Sequence, residues 1–251
     1  RRADYNVRVV NCSFSTNTVF DYNDPVNIAT KMLTQNGVNV VFSAGNSGAG
    51  NGTLNPYAAA PWVISVGATG PTTMKADYSN YGTEQTQVTA PGGYFRDGFG
   101  TPIYRTNGNQ VLSTYPQSLA QERGQLNPDG TPNTPLVVRD CQGATCAYYQ
   151  YLQGTSMASP HAVGVAALIV SEWGHPDGGT MSGQLTMKPK NVEKILERTA
   201  TDHACPDPPT IDYTIVGRPA SFNATCTGTA DFNSIWGEGI VDALAAVTKK
   251  N

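Results

Sequence analysis

Charge is scarce in this sequence. Lys, Arg, Asp and Glu make up 14% of its 251 residues, against about a quarter in an average domain. The net charge is only −3 with histidine neutral, so the basic surplus of a nucleic-acid binder is missing. No apolar run approaches the roughly 18 residues of a helical membrane span, which excludes an integral helical membrane protein. Histidine is rarer still. The three stand at 161, 175 and 203, and none comes earlier. No Cys-x-x-Cys pair, internal repeat or low-complexity tract is present.

Glycine and proline are plentiful, at 26 and 17 residues. The surface must then be built from loops rich in Asn, Ser, Thr, Gly and Tyr, a composition common in secreted proteins. A hydrophobic share of 39% is enough for a buried core, and the length fits one large domain or two small ones. Arg1 opens the sequence with no signal pattern after it, and the expectation is a chain that starts inside something larger.

Five cysteines are present: Cys12, Cys141, Cys146, Cys205 and Cys226. Pairing the nearest neighbours gives Cys141 with Cys146 and Cys205 with Cys226, each closing a surface loop. Zinc is the competing use of these four, and their spacing matches no ligand pair. Two disulfides imply an oxidising compartment. Cys12 sits in an apolar run and is expected to be a buried free thiol. Asn11, Asn51 and Asn223 each open a formal glycosylation sequon.

Along the chain, residues 7–12 read as a buried strand. Asp24-Pro25 opens a helix that Asn36-Gly37 ends, with Ile28, Met32 and Leu33 as its apolar face. Strands are expected at 38–44, 62–68 and 86–90, with a Gly-rich loop at 45–52. Strand, helix, strand at this spacing is a βαβ unit, so the fold class is α/β with a mainly parallel sheet. Residues 93–153 are polar and broken by turn signals. They read as an insertion with hairpins near Tyr104 and at 136–138. Residues 156–171 are Ala-rich and read as a helix buried on most sides. An amphipathic helix follows at 189–199, with Val192, Ile195 and Leu196 inward. A second insertion covers 201–231. A last helix is expected over 238–249, with Ile240, Leu244 and Val247 on its face.

Gly154-Thr155-Ser156-Met157-Ala158-Ser159-Pro160-His161 carries the chemistry. It sets a serine where a loop turns into a helix, under first-turn N–H groups and the positive dipole end. That placement suits a developing oxyanion. Gly154 allows a substrate backbone to come close. Taken alone, the segment also fits a plain helix N-cap.

The segment is not alone. Residues 154–168 closely resemble the catalytic-serine motif of the subtilisin-like serine proteases. Val9-Val10-Asn11-Cys12-Ser13-Phe14-Ser15, Val41-Phe42-Ser43-Ala44-Gly45-Asn46, Val63-Ile64-Ser65-Val66-Gly67-Ala68, Tyr78-Ser79-Asn80-Tyr81-Gly82, Thr89-Ala90-Pro91-Gly92 and Gly237-Glu238-Gly239-Ile240-Val241-Asp242-Ala243 resemble further family segments, in the family's order. The resemblance implies a three-layer αβα fold. It makes Ser156 the acyl-forming nucleophile and Asn46 the oxyanion donor. Ser13, Phe14 and Ser15 would run along one side of the substrate, Ser43, Ala44 and Gly45 along the other, with Gly154 and Thr155 beside the nucleophile. The family usually has Gly where Ser15 stands, so this edge is expected to be less open. Phe14, Asn55, Pro56 and Ala58 to Ala60 are expected around the first specificity pocket, with a neutral or apolar preference. No cofactor is required. Structural calcium is common in the family, and no carboxylate cluster here demands it.

The family's triad runs Asp, His, Ser. No histidine precedes Asn46. His161 belongs to the serine motif and is expected to be a packed structural residue; His175 is expected to be solvated, and His203 lies in the Cys205 loop. The sequence therefore reads as the C-terminal part, over 1–251, of one subtilisin-like catalytic domain. The Asp and His would come from an N-terminal part of the same domain, which a separate chain could supply. A nicked protein, an incompletely represented one and a dead fragment are the competing explanations. The leading functional expectation is a secreted, extracellular serine endopeptidase acting on protein or peptide. The alternative is an inactive protease-fold fragment serving as a peptide-binding or scaffold protein. The acidic peptidases that use Glu for His fit Met157, Ser159 and Pro160-His161 less well.

Overall fold

A computed structural model describes residues 5–16, 18–48, 55–83, 86–176 and 184–249. Asn51 and the second half of the glycine-rich loop, residues 49–52, lie outside the described residues. Four strands, β1 (Val9–Cys12), β2 (Asn39–Ser43), β3 (Ile64–Thr69) and β4 (Val88–Pro91), form one parallel sheet in the order β1-β2-β3-β4. Helix α1 (Pro25–Gln35) makes the crossover from β1 to β2. Asp24 caps it through Val26 N at 2.8 Å, and Pro25 stands at its first position.

Successive strand residues face opposite sides of a sheet. Val41 accordingly joins one core cluster, with Val66, Ala68, Val88 and Ala90. Val40 and Phe42 join another, with Cys12 and Val63, against Val26 and Leu33 of α1. Both faces of the sheet are covered, which explains the unbroken apolar runs of β2 and β3. The long helix on the first face, described below as α3, completes a three-layer αβα arrangement.

Beyond β4 the chain builds a second, antiparallel sheet from β5 (Val111–Thr114), β6 (Val137–Gln142) and β7 (Thr145–Leu152), in the order β5-β7-β6. Helix α2 (Gln117–Glu122) lies between β5 and β6. The insertion thus has its own substructure, with a core of Tyr115, Ala120, Val137 and Tyr148. Cys141 and Cys146 stand directly opposite in the β6–β7 register and are disulfide-bonded. Tyr104 lies in a turn, so the hairpin expected there is displaced to β5.

Helix α3 (Thr155–Trp173) packs across all four strands of the parallel sheet. Ala158, Ala162, Val165, Ala166, Ile169 and Val170 are its buried side. Its opposite stripe, Pro160, His161, Gly164, Ala167, Leu168 and Ser171, is exposed. The helix is therefore covered on one side rather than most sides. Strand β1 differs from expectation in the same way. It is the sheet's edge, with Val9 and Val10 half-buried and Cys12 alone inside. Helix α4 (Pro189–Arg198) buries Val192, Ile195 and Leu196 as its pattern requires. Short strands β8 (His175–Pro176) with β9 (Leu185–Thr186), and β10 (Thr210–Ile211) with β11 (Ala224–Thr225), complete the loops. The second disulfide joins Cys205 to Cys226.

Two helical readings change. In α1, Ile28 and Met32 are exposed, while Asn27 and Thr30 are buried. The buried polar pair is satisfied locally: Asn27 Nδ2 donates to Asp21 O and Thr30 Oγ to Asn27 O. The last helix, α5, spans only Ala243–Thr248, and Leu244 points outward at 71% exposure. Gly237 and Gly239 take φ of 61° and 125°, which no helix accepts, and Ile240 pairs with Thr89 and Thr201 instead. Asp242 then caps the short helix through Ala245 N.

Candidate active site

The site forms at the carboxyl ends of β1, β2 and β4, where α3 begins. Gly154 caps α3 with φ 155° and ψ 162°, a region that side chains avoid. Its N–H donates to Gly92 O at 2.9 Å, just past β4. Tyr78 OH donates to Gly92 O at 3.1 Å and to Gly93 O. Burial of Tyr78 pushes its phenol well up, so it stays a donor. Backbone and ring together fix the entry to the helix.

After β2 the chain turns sharply at Gly45, φ 107°. A Cβ there would collide with the Asn80 amide. Asn80 ties this turn down. Its Nδ2 donates to Ala44 O at 2.9 Å, and its Oδ1 accepts Ser47 N at 2.7 Å and Gly48 N at 3.0 Å. Asn55 Nδ2 donates to Ser43 O and to Phe14 O, both at 2.9 Å, and so joins the two edges of the cleft.

Asn46 stands next in line. Its Oδ1 accepts from Thr155 N and from Thr155 Oγ1, both at 2.9 Å. Thr155 Oγ1 in turn accepts Gly45 N at 3.1 Å. The amide is thereby oriented from its oxygen end. Among the described residues nothing accepts from Nδ2, which remains a donor on an exposed side chain. Ser156 follows Thr155 in the first turn of α3, where backbone N–H groups have no helical partner.

Ser13, Phe14, Ser15, Ser43, Gly45, Asn46 and Ser156 line one cleft of about 700 Å³. Ala44, Gly154 and Thr155 are buried. The Phe14 ring stands edge-on to Phe42 and Tyr57, at 5.4 and 5.8 Å between centroids. Asn55 and Pro56 reach the cleft as expected, but Ala58 to Ala60 line a separate recess beside Val63 and Thr86. The 3-10 turn at Pro56–Ala59 swings them away. Among the described residues the cleft lining holds no acid, base or histidine. Cys12 is buried beneath, and burial raises its thiol pKa.

His161 is exposed rather than packed, and Met157 O lies 2.8 Å from its Nδ1. It shares a recess of about 310 Å³ with Ser156, Val111 and Leu112. Five residues of α-helix turn it about 140° away from Ser156. His203 stacks on Trp236 at 4.0 Å. Among the described residues no three His, Cys, Asp or Glu side chains converge as metal ligands. The sequence placed Asn55 near the cleft but not its tie between Ser43 and Phe14, and it carried no sign of the Asn80 tie to Ala44, Ser47 and Gly48.

The parallel sheet with a serine at the head of its central helix gives a subtilisin-like fold. A protease from Pseudoalteromonas arctica superposes with a TM-score of 0.56 at 31% identity, over 96% of this chain and 50% of that one. A lanthipeptide protease gives 0.60 at 25% identity, over 98% and 62%. The chain belongs to the subtilase family, whose model matches residues 1–215. The extracellular basic protease of Dichelobacter nodosus is 32% identical over 174 residues, 67% of this chain and 20% of that protein. Subtilisin DY of Bacillus licheniformis is 31% identical over 168 residues, 66% and 40%. The chain thus spans less than half the length of these two relatives.

Proposed function

We propose that the protein is a secreted subtilisin-like serine endopeptidase for which this chain supplies nucleophile and oxyanion hole. The carrying observation is the Asn46 amide, held at its oxygen by both donors of Thr155, with its Nδ2 unengaged among the described residues at the cleft that Ser156 lines. In this reading Ser156 Oγ attacks the scissile carbonyl and gives its proton to a histidine. Asn46 Nδ2 and the Ser156 N–H hold the oxyanion. The tetrahedral species collapses, the protonated histidine donates to the leaving amine, and water then releases the acyl group by the reverse path.

The histidine and its aspartate come from a part of the catalytic domain outside this chain. The exposed stripe of α3 and the open edge of β1 support this, since among the described residues Leu168 on the helix and Val7 just before the strand are uncovered, at 47% and 36% exposure. The regions 93–153 and 201–231 are then insertions into that domain. Hydroxyls, amides and the Phe14 ring line the cleft without charge, which favours a neutral substrate side chain before the cut. Secretion is supported by the two disulfides and by the extracellular relative.

A fluorophosphonate probe with peptide mass spectrometry tests the proposal. An adduct on Ser156 is expected from the protein as isolated. A folded sample that stays unlabelled would overturn it and favour the peptide-binding scaffold, which keeps the cleft without the base.

A further inference from the structure

We propose that Ser13 is a positioning residue that holds the peptide of Ser156 in place, filling a gap that Pro160 opens. The inference rests on the reading of Ser156 as nucleophile.

In an α-helix each carbonyl accepts the N–H four residues on. Four residues after Ser156 stands Pro160, inside α3. Proline has no N–H, and its ring crowds the carbonyl four residues back. The Ser156 carbonyl therefore has no helical donor. Ser13 Oγ donates to it at 2.9 Å, from 143 positions away in sequence.

Ser13 is itself tightly held. Asn11 Nδ2 donates to Ser13 Oγ at 3.0 Å. Ser159 Oγ, fully buried, donates to Asn11 Oδ1 at 2.8 Å and lies 2.9 Å from Ser13 Oγ. One proton on each hydroxyl satisfies the ring: Ser159 to Asn11, Asn11 amide to Ser13, Ser13 to Ser156. The strand period explains the meeting. Asn11 and Ser13 lie two residues apart and face α3, whereas Cys12 between them joins the core on the other face. Ser13 also lines the substrate cleft. The end of β1 thus meets both the bound peptide and the residue that attacks it.

A hydroxyl that only stabilises the fold would change melting alone. A positioning hydroxyl changes the rate at Ser156, and its loss is repaired by restoring the missing helical donor. The test compares wild type, Ser13→Ala, Ser13→Thr, Pro160→Ala and the Ser13→Ala/Pro160→Ala pair in the whole protein. Labelling rate at Ser156 with a fluorophosphonate, kcat and KM on a peptide substrate, and melting temperature are read together. Ser13→Ala should slow labelling and kcat about tenfold, the worth of about one hydrogen bond to a buried carbonyl, with KM within about twofold. Ser13→Thr keeps the hydroxyl and most of the rate. Pro160→Ala restores a backbone N–H at that position, which can serve the Ser156 carbonyl. In that background Ser13→Ala should cost less than about threefold. Equal losses in both backgrounds, or a loss confined to KM or to melting, would overturn the inference while Ser156 still labels in wild type. A folded wild type that never labels removes the nucleophile reading, and the inference falls with it.

Discussion

Lys75 is buried to 1% exposure, and among the described residues no carboxylate forms an ion pair with it. Its Nζ donates to Ala76 O at 3.1 Å and lies 4.8 Å from the Tyr81 ring centre and 5.7 Å from that of Tyr213. Burial pulls its pKa down to about 7, against a partial upward pull from Asp77. The distance from the ordinary lysine value corresponds to about 5 kcal/mol. Over the roughly 2.5 pH units between pH 7 and pH 9.5 it amounts to about 3 kcal/mol. The sign follows from the proton count. Below about pH 7 the ammonium is charged whether the chain is folded or not, and the fold bears the whole cost. Between about pH 7 and the ordinary value near 10.4 the unfolded chain keeps a proton that the folded chain has lost, so stability rises with pH. Above about pH 10 the rise ends, because burial raises the phenol pKa values of Tyr78, Tyr94 and Tyr213 and unfolding would let them ionise. Lys75→Met keeps the bulk and removes the titration. Urea unfolding followed by tryptophan fluorescence should show wild type gaining about 3 kcal/mol between about pH 7 and pH 9.5, and the variant staying level and starting higher. Parallel pH slopes, or a variant less stable at pH 7, would refute the reasoning.

Other perturbations reach the site and its frame. Asn46→Leu should lower turnover by about 10² to 10³ with little change in KM, the size of effect that loss of the corresponding donor has in subtilisin. Thr155→Val removes the hydroxyl that bridges Gly45 N and Asn46 Oδ1, so steady-state kinetics should show a kcat loss that Thr155→Ser restores, with about 2 kcal/mol of stability lost in the valine variant alone. Gly154→Ala forces a side chain into a region reserved for glycine beside the Asn46 amide, and chemical denaturation should register about 1 to 3 kcal/mol. Removing the Cys205–Cys226 bond, with 21 residues of separation, should lower stability by about 3 kcal/mol, against about 2 kcal/mol for Cys141–Cys146 with 5; calorimetry of the paired alanine variants gives the order.

Much of the site was legible because it is local in sequence. Ser156 heads its own helix, Asn46 follows its own strand by three residues, and both cystines join near neighbours. The unread part depends on contacts distant in sequence. Nothing around Asn80 announces that its side chain will bind Ala44, Ser47 and Gly48, because those partners arrive through the sheet. Ile28 and Met32 were placed inward because periodicity reports an apolar face without saying whether anything meets it. Asn27 and Thr30 took the inner positions because their polar atoms bond within the chain's own turns. Gly237 and Gly239 held the signal that the last helix starts late, since two left-handed glycines cannot sit in a helical turn.

Under the proposed function, the positions of the parts limit where the histidine can enter. Ser13 follows β1, Asn46 follows β2 and Gly92 follows β4, so all approach from the carboxyl ends of parallel strands, the side on which such sheets bind ligands. Helix α3 points its N-terminus at the same place. On the β3–β4 side the sheet continues into Gly92 and the antiparallel insertion, and Val111 and Leu112 already flank Ser156 there. On the other side β1 has only one neighbour among the described residues, and the exposed stripe of α3 runs beside it. Under the proposed function, a histidine must therefore arrive past β1 and along Pro160 and His161. Covering that stripe would also bury Leu168, so the contact that completes the triad would stabilise the helix bearing its serine.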